Sequence, residues 1–239
     1  MKLNRSYLLS IILLCFSLSV EAQRNYSAMY VFGDSLSDTG NLAAYLHSTG
    51  VLDPSEQLPF PYYQNRISNG PVAVDHIAET LALSVIPSLM GGTNYAVAGA
   101  KAGGDTLADL PAQLELFVAN HSVAGVTDIP QDALYIVFIG GNDVRAARGE
   151  IDTSSARKII RKAVDNIGHA VRALISAGAR HIMVVNSPDI GKIPETLMAA
   201  EAGIVWLPAL STWRTKQFNF RLFLTLMRVQ WETGVKLIQ

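Results

Sequence analysis

Three short stretches carry residue types that can do chemistry: Gly33-Asp34-Ser35-Leu36-Ser37, Ala98-Gly99-Ala100 and Gly140-Gly141-Asn142-Asp143. Each follows a run that reads as a strand, so each reads as a turn. Taken singly, Gly, Ser, Asn and Asp in that position are ordinary turn chemistry, because they tolerate or hydrogen-bond the backbone shapes a chain reversal needs. Asp34 and Asp143 invite a reading as a carboxylate pair for acid–base or metal chemistry, but the favoured role for both is to fix the turns. Asn94 reads in the same way, as the residue that holds the second turn by hydrogen bonding. Asp38 and Asn41 are expected to cap the helix behind the first turn. The recurrence of three such turns in one order is far more specific than any of them alone.

The elements that must position these turns alternate along the chain. Ala28 to Phe32 is a short apolar run closed by Gly33, a buried strand ending in a tight turn. A helix is expected at about Asn41 to Leu46, and a second one opened by Pro71, capped by Asn69 and running to about Leu83. Between them, Gly50 to Pro71 holds four prolines with Phe60, Tyr62 and Tyr63, and reads as a long functional rim. Thr93 to Ala96 is a short strand, followed by Leu110, Leu114, Phe117 and Val118 at helical spacing. Ala133 to Ile139 reads as a central parallel strand. Ile159, Ala163, Ile167, Val171 and Leu174 form one stripe of a long helix that stops at Gly178. His181 to Val185 is the next strand, Phe218, Leu222, Leu226 and Val229 mark the last helix, and Val235 to Ile238 the last strand. About five alternations of strand and helix give an α/β domain of three layers, a parallel sheet with helices on both faces. Sites in such sheets lie at the carboxyl ends of the strands, which is where all three turns fall.

Composition narrows the class. With 239 residues, 49% hydrophobic and 16% charged, the chain is a folded domain and not a disordered one. A formal net charge of −1 offers no electrostatic footprint for nucleic acid or an anionic membrane surface, so the expected partner is a small neutral molecule. Lys2 and Arg5 precede an apolar run from Tyr7 to Val20 that ends in Val20-Glu21-Ala22, the layout of a secretory signal peptide over residues 1–22. The domain then spans 23–239, is exported to the periplasm or the medium, and keeps no integral membrane segment. Cys15, the one cysteine, leaves with the leader, so neither a disulfide nor a thiol nucleophile is expected.

The motifs GDSLSDTGN (Gly33 to Asn41), GGTNYAVAGA (Gly91 to Ala100) and GGND (Gly140 to Asp143) resemble those of the GDSL esterases and lipases of the SGNH hydrolase superfamily, a likeness that runs from Tyr30 to about Gln239. The resemblance implies a flavodoxin-like sheet, hydrolysis of acyl esters or thioesters, and no metal or other cofactor. It makes Ser35 the nucleophile, gives Gly99 and Asn142 the oxyanion-hole roles, and leaves Gly33, Asp34, Asn94, Gly141 and Asp143 as supporting turns. The residue chemistry agrees. A serine just beyond a strand is held rigidly toward a cleft, and a backbone N–H with a neutral amide suits a carbonyl oxygen that gains charge.

One part of the resemblance is missing. The family carries its histidine in an Asp-x-x-His motif after the last strand, and no Asp-x-x-His occurs here. The sequence therefore reads as a domain incomplete at its C-terminus, with impaired turnover. His47, His76, His121, His169 and His181 are each expected to be surface or packing residues. Two other readings stand beside the hydrolase: a non-catalytic binding protein that keeps the cleft, and a flavodoxin-like cofactor binder, which has neither glycine-rich phosphate motif in its favour.

Overall fold

The computed structural model describes residues 25–123, 126–150 and 152–239. The expected leader over 1–22, with Cys15, lies outside the described residues. Among those described, three strands form the parallel sheet: β1 (Met29–Gly33), β4 (Leu134–Phe138) and β5 (His181–Val184), in the order β1-β4-β5. A minimal hairpin, β2 (Ser122–Val123) with β3 (Val126–Thr127), stands apart from it. Seven helices surround the strands: α1 (Asn41–Ser48), α2 (Ala73–Leu81), α3 (Leu110–Asn120), α4 (Gly141–Gly149), α5 (Thr153–Ala177), α6 (Pro194–Glu201) and α7 (Leu207–Thr233). None is long and apolar enough to cross a membrane.

Two expected strands are reduced to single bridges. Asn94 bridges Val31 in parallel, its neighbours bonding through Val31 N to Thr93 O (3.1 Å), Tyr95 N to Val31 O (2.7 Å) and Val97 N to Gly33 O (3.2 Å). On its far side only the turn at Pro87 pairs with it, so the ladder does not extend. Ile238 bridges Met183 through Val184 N to Ile238 O (2.8 Å) and Ile238 N to Ile182 O (2.9 Å). Counted as strands, these segments give a spatial order of second, first, third, fourth, fifth along the chain. In that flavodoxin-like order the connections diverge between the first and third strands, here β1 and β4, and a crevice opens beyond their carboxyl ends.

Alternation along the strands divides the core into two faces. Tyr30, Phe32, Tyr135, Val137, Ile182 and Val184 point to one side, against Phe117 of α3, Ile160, Val164, Ile167, Val171 and Leu174 of α5, and Phe218, Leu222, Leu226 and Val229 of α7. Met29, Val31, Leu134 and Ile136 point to the other, against Val74 and Ala78 of α2. Both faces of the strands are buried, which is why β1 and β4 read as continuous apolar runs. α5 begins on Asp152, whose carboxylate accepts from Ser154 N (3.0 Å) and Ser155 N (2.9 Å), and ends at Gly178.

The start of α2 differs from expectation. The helix begins at Ala73, and the side chain that answers its first turn is Asp75, whose Oδ2 accepts from Val72 N at 2.8 Å. Asn69 is too far upstream to do so. Asp75 is also held by Arg66 of the rim loop through two bonds of 2.7 Å, so the 50–71 segment is tied to α2 although it has no regular structure. Burial pushes the Asp75 carboxyl up, but Arg66 and Val72 N outweigh it and keep it below the usual carboxylate range.

Candidate active site

The carboxyl ends of β1, the Asn94 segment and β4 bring the three turns to one edge. After β1 the chain folds over itself, with Ser37 N and Asp38 N both donating to Asp34 O at 3.0 Å and Leu36 N donating to Asp34 Oδ1 at 3.0 Å. Ser35 sits half-buried at this bend, and Leu36 is exposed beside it. Gly33 is required by close approach, since a Cβ there would lie 2.7 Å from Phe138 O. Its N–H donates to Gln113 Oε1 (2.9 Å) and its carbonyl accepts from Gln113 Nε2 (2.8 Å), so a side chain of α3 pairs with the end of β1 as a neighbouring strand would. Nothing local in the sequence signals Gln113, because its partner is 80 residues away.

Asp38 joins the first turn to the second. Its carboxylate accepts from Gly40 N (2.7 Å), Asn41 N (2.6 Å) and Leu42 N (3.1 Å) at the start of α1, and from Ala98 N (2.8 Å). It is therefore the cap expected for α1. Asn41 is not. Its amide donates to Asn94 O (2.7 Å) and Ala96 O (2.9 Å) and accepts from Leu89 N (3.1 Å), so it anchors the second motif. Asn94 donates to Ser37 O (2.7 Å) and Thr39 Oγ1 (2.9 Å) and accepts from Ala96 N (3.0 Å), so it links the second turn to the first. Gly99 has φ of 84° and is exposed at the turn.

The third turn is joined to the second. Asn142, the second residue of α4, donates from Nδ2 to Ala100 O at 2.8 Å, one residue past Gly99. An amide nitrogen carries two protons, so one remains for another acceptor. Asn142 Oδ1 accepts from Arg145 Nη1 at 3.2 Å, which fixes which end of the amide faces the second turn. Arg145 pairs with Glu195 of α6 at 2.5 Å, and Arg148 bonds both Glu195 and Thr196. Asp143 accepts from Ala102 N and Gly103 N, each at 2.8 Å. Gly140 has φ of 121°, and a Cβ there would fall 2.2 Å from the Phe218 ring, so α7 packs directly beneath this turn.

Both acidic residues that invited a catalytic reading are buried and bonded to backbone. Burial pushes Asp34 up to about 6 against the opposing Leu36 N–H, with the Asp143 charge adding to the rise. Burial also raises Asp38 and Asp143 above the ordinary aspartate value despite the N–H groups each accepts from.

The five histidines lie elsewhere. His47 Nε2 bonds Glu56 O (2.9 Å), and His76 is exposed on α2 beside Glu79. His121 bonds Phe117 O (2.8 Å) and Tyr30 OH (3.1 Å) within the aromatic core. His169 is exposed on α5, and His181 opens β5 at the opposite sheet edge with its ring edge-on to Tyr26. Beside His121, Asn120 donates to Tyr95 OH at 3.1 Å. A cavity of about 780 Å³ also lies at that opposite edge, lined by Arg180, His181 and Lys236 among others.

Fold and turn cluster define a three-layer α/β protein whose three turns meet at the β1/β4 switch point. The family model for GDSL-like lipase/acylhydrolase matches residues 29–236, and the chain belongs to that family. It is 32% identical over 198 residues to Lipase 1 of Photorhabdus luminescens, covering 82% of this chain and 27% of that protein. It is 29% identical over 180 residues to a phosphatidylcholine-sterol acyltransferase of Aeromonas hydrophila, covering 74% of this chain and 49% of the relative. A GDSL esterase/lipase of Arabidopsis thaliana is 27% identical over 217 residues, 78% of this chain and 56% of the relative. The chain thus spans between about a quarter and somewhat over half the length of these relatives.

Proposed function

We propose that this chain supplies the nucleophile and oxyanion side of an acyl-ester hydrolase. Ser35 attacks the ester carbonyl, and the backbone N–H of Gly99 with the free amide proton of Asn142 holds the oxygen as it gains charge. Asp34, Asp143, Asn94, Gly33 and Gly141 keep those groups in register. The observation that carries the reading is the pair of hydrogen bonds that bracket Gly99, Ala98 N to Asp38 and Asn142 to Ala100 O, because they lock three turns from distant sequence around one point. The names of the relatives point to lipid or other acyl esters as substrate, and the leader over 1–22 to export, with a mature chain from about Gln23. With the five histidines placed elsewhere, residues 23–239 alone turn over slowly, since a serine without a general base loses most of its rate.

Hydrolysis of short-chain nitrophenyl esters tests this. Ser35→Ala abolishes the serine-dependent rate, and Asn142→Ala lowers kcat by roughly 10²–10³ with KM little changed, because its bond strengthens only as the oxyanion forms. The placement of the histidines favours a second reading, a cleft that binds without catalysis. Ester binding by the parent chain with no rate above the uncatalysed one, and with Ser35→Ala binding alike, would establish that reading instead.

A further inference from the structure

The outer face of α7 is as apolar as its inner one. Phe218, Leu222, Leu226 and Val229 are fully buried, yet Trp213, Phe220, Leu224, Met227 and Trp231 are 45%, 63%, 49%, 50% and 86% exposed. At 100° per residue these five positions fall within about 60° of arc, opposite the buried set, and run about 27 Å along the helix. Single exposed apolar side chains are commonplace; a continuous aromatic stripe on an already packed helix is a surface with a use. The charge on either side of it is mostly positive. Over its whole length the helix carries Arg214, Lys216, Arg221 and Arg228 against one acidic residue, Glu232, which pairs with Arg228 (2.7 Å) and with Arg172 of α5 (2.8 Å). Arg214 is buried against the Trp213 ring, its guanidinium carbon 4.6 Å from the ring centre, whereas Lys216, Arg221 and Arg228 are exposed along the flanks of the stripe.

We infer that the outer face of α7 docks on an anionic phospholipid surface, with the helix lying in the plane of the interface. Tryptophan and phenylalanine on one face with lysine and arginine beside them suit the boundary between acyl chains and headgroups. Lys216 and Arg221 gain there from the negative surface potential, and Arg228 gains less because Glu232 already pairs with it. The whole-chain net charge of −1 conceals this, because it averages the helix with acidic residues elsewhere.

The placement of the stripe gives docking a purpose. Thr212 donates to Asp189 (2.8 Å), Thr215 accepts from Ile190 N (3.2 Å) and Asn219 bonds both backbone groups of Ser187, so the Trp213 end of α7 stands beside the segment that leaves the carboxyl end of β5. That is the edge on which Ser35, Gly99 and Asn142 lie. A docked helix holds this edge against the membrane, where acyl esters are concentrated. Docking itself goes beyond the hydrolase reading and does not depend on it.

Vesicle flotation with the full chain tests the inference, using ether-linked phospholipids so that hydrolysis plays no part. The chain is expected to float with vesicles containing half phosphatidylglycerol and much less with pure phosphatidylcholine, less again at high salt. Tryptophan emission is expected to shift to the blue and to be quenched by brominated acyl chains. Trp213→Ser with Phe220→Ser and Trp231→Ser is expected to lose more than about 100-fold in vesicle affinity. Lys216→Glu with Arg221→Glu is expected to lose roughly 30-fold or more. Because all five positions are exposed, circular dichroism and melting temperature should stay close to those of the parent. Equal flotation by the parent and the triple variant overturns the inference. So does a parent that ignores anionic vesicles but forms a dimer abolished by the triple variant, which would assign the stripe to a second copy. Ser35→Ala should float like the parent, so loss of hydrolysis and loss of docking are separable.

Discussion

Gln113 offers a direct test of how the turn after β1 is supported, because one buried side chain, 2% exposed, serves both backbone groups of Gly33. Gln113→Met keeps the length and removes all hydrogen bonding. Gly33 N–H is then left buried without its acceptor, which costs about 1–3 kcal/mol. The Gly33 carbonyl keeps its bond from Val97 N at 3.2 Å, so its loss, like that of the bond to Ala108 O (2.7 Å), is the smaller net value of about 0.5–1.5 kcal/mol. Some of this is offset by the apolar burial of the methionine, leaving a deficit of about 3 kcal/mol. For a domain of this size each kcal/mol moves the melting temperature by about 2–4 °C, so a fall of about 6–12 °C is expected in a thermal melt followed by circular dichroism. Gln113→Glu refines the test. An ionised glutamate accepts from Gly33 N–H but faces two carbonyl oxygens with a negative charge, whereas the protonated acid donates to one of them. Its folded-state pKa therefore lies above the unfolded value of about 4.3, and the folded protein binds the extra proton. Relative to the parent at the same pH, this variant loses stability as pH rises from about 4 to 7. A Gln113→Met protein melting within about 2 °C of the parent, or a Gln113→Glu deficit that shrinks as pH rises, would refute the role given to this amide.

Asp34→Asn tests the burial of that carboxylate. Because its folded value near 6 lies above that of an unfolded aspartate, about 3.9, the folded state takes up a proton that the unfolded chain does not, and stability declines as pH rises through that interval. The amide removes this penalty, so Asp34→Asn should be more stable than the parent at pH 7–8 by up to about 3 kcal/mol and nearly equal to it at pH 4, as urea titrations at both pH values would show. Arg145→Ala removes the bond that orients Asn142 and should lower kcat for ester hydrolysis about 2–10-fold with KM unchanged, partly restored by Arg145→Lys; steady-state kinetics decide it. Phe218→Ala empties a fully buried site beneath Gly140 and should cost about 3–5 kcal/mol, read as a lower melting temperature.

What was legible in the sequence follows from how far each signal reaches along the chain. β1, β4 and α5 are strong local patterns, a run closed by glycine or a stripe at helical period, and their bounds agree with expectation to within one or two residues at most ends. The bridges at Asn94 and Ile238 look like strands in sequence because their alternation is right, but the length of a ladder depends on what lies on its far side. Asn69 drew attention as a cap because it precedes Pro71, yet the chain stays extended to Val72 and Asp75 supplies the bond. The three turns are visible as a set, because each directly follows a run that reads as a strand. Gln113, Arg145 and Glu195 were not, since each acts on a partner in another element and none stands in a motif. The outer stripe of α7 escaped notice for a different reason: a helix apolar on two faces has no single period to detect, and a count of charge over the whole chain erases its sign.

Asp38 has a consequence for how the site opens. One carboxylate holds four backbone N–H groups, three at the start of α1 and one at Ala98, so the two turns do not loosen separately. Any fluctuation that frees Ala98 must also release the first turn of α1 or break the same acceptor. In hydrogen exchange the amides of Gly40, Asn41, Leu42 and Ala98 belong to one cooperative unit, although 56 residues separate the last two. The first and second turns are therefore expected to open together, which concerted exchange of those four amides would show.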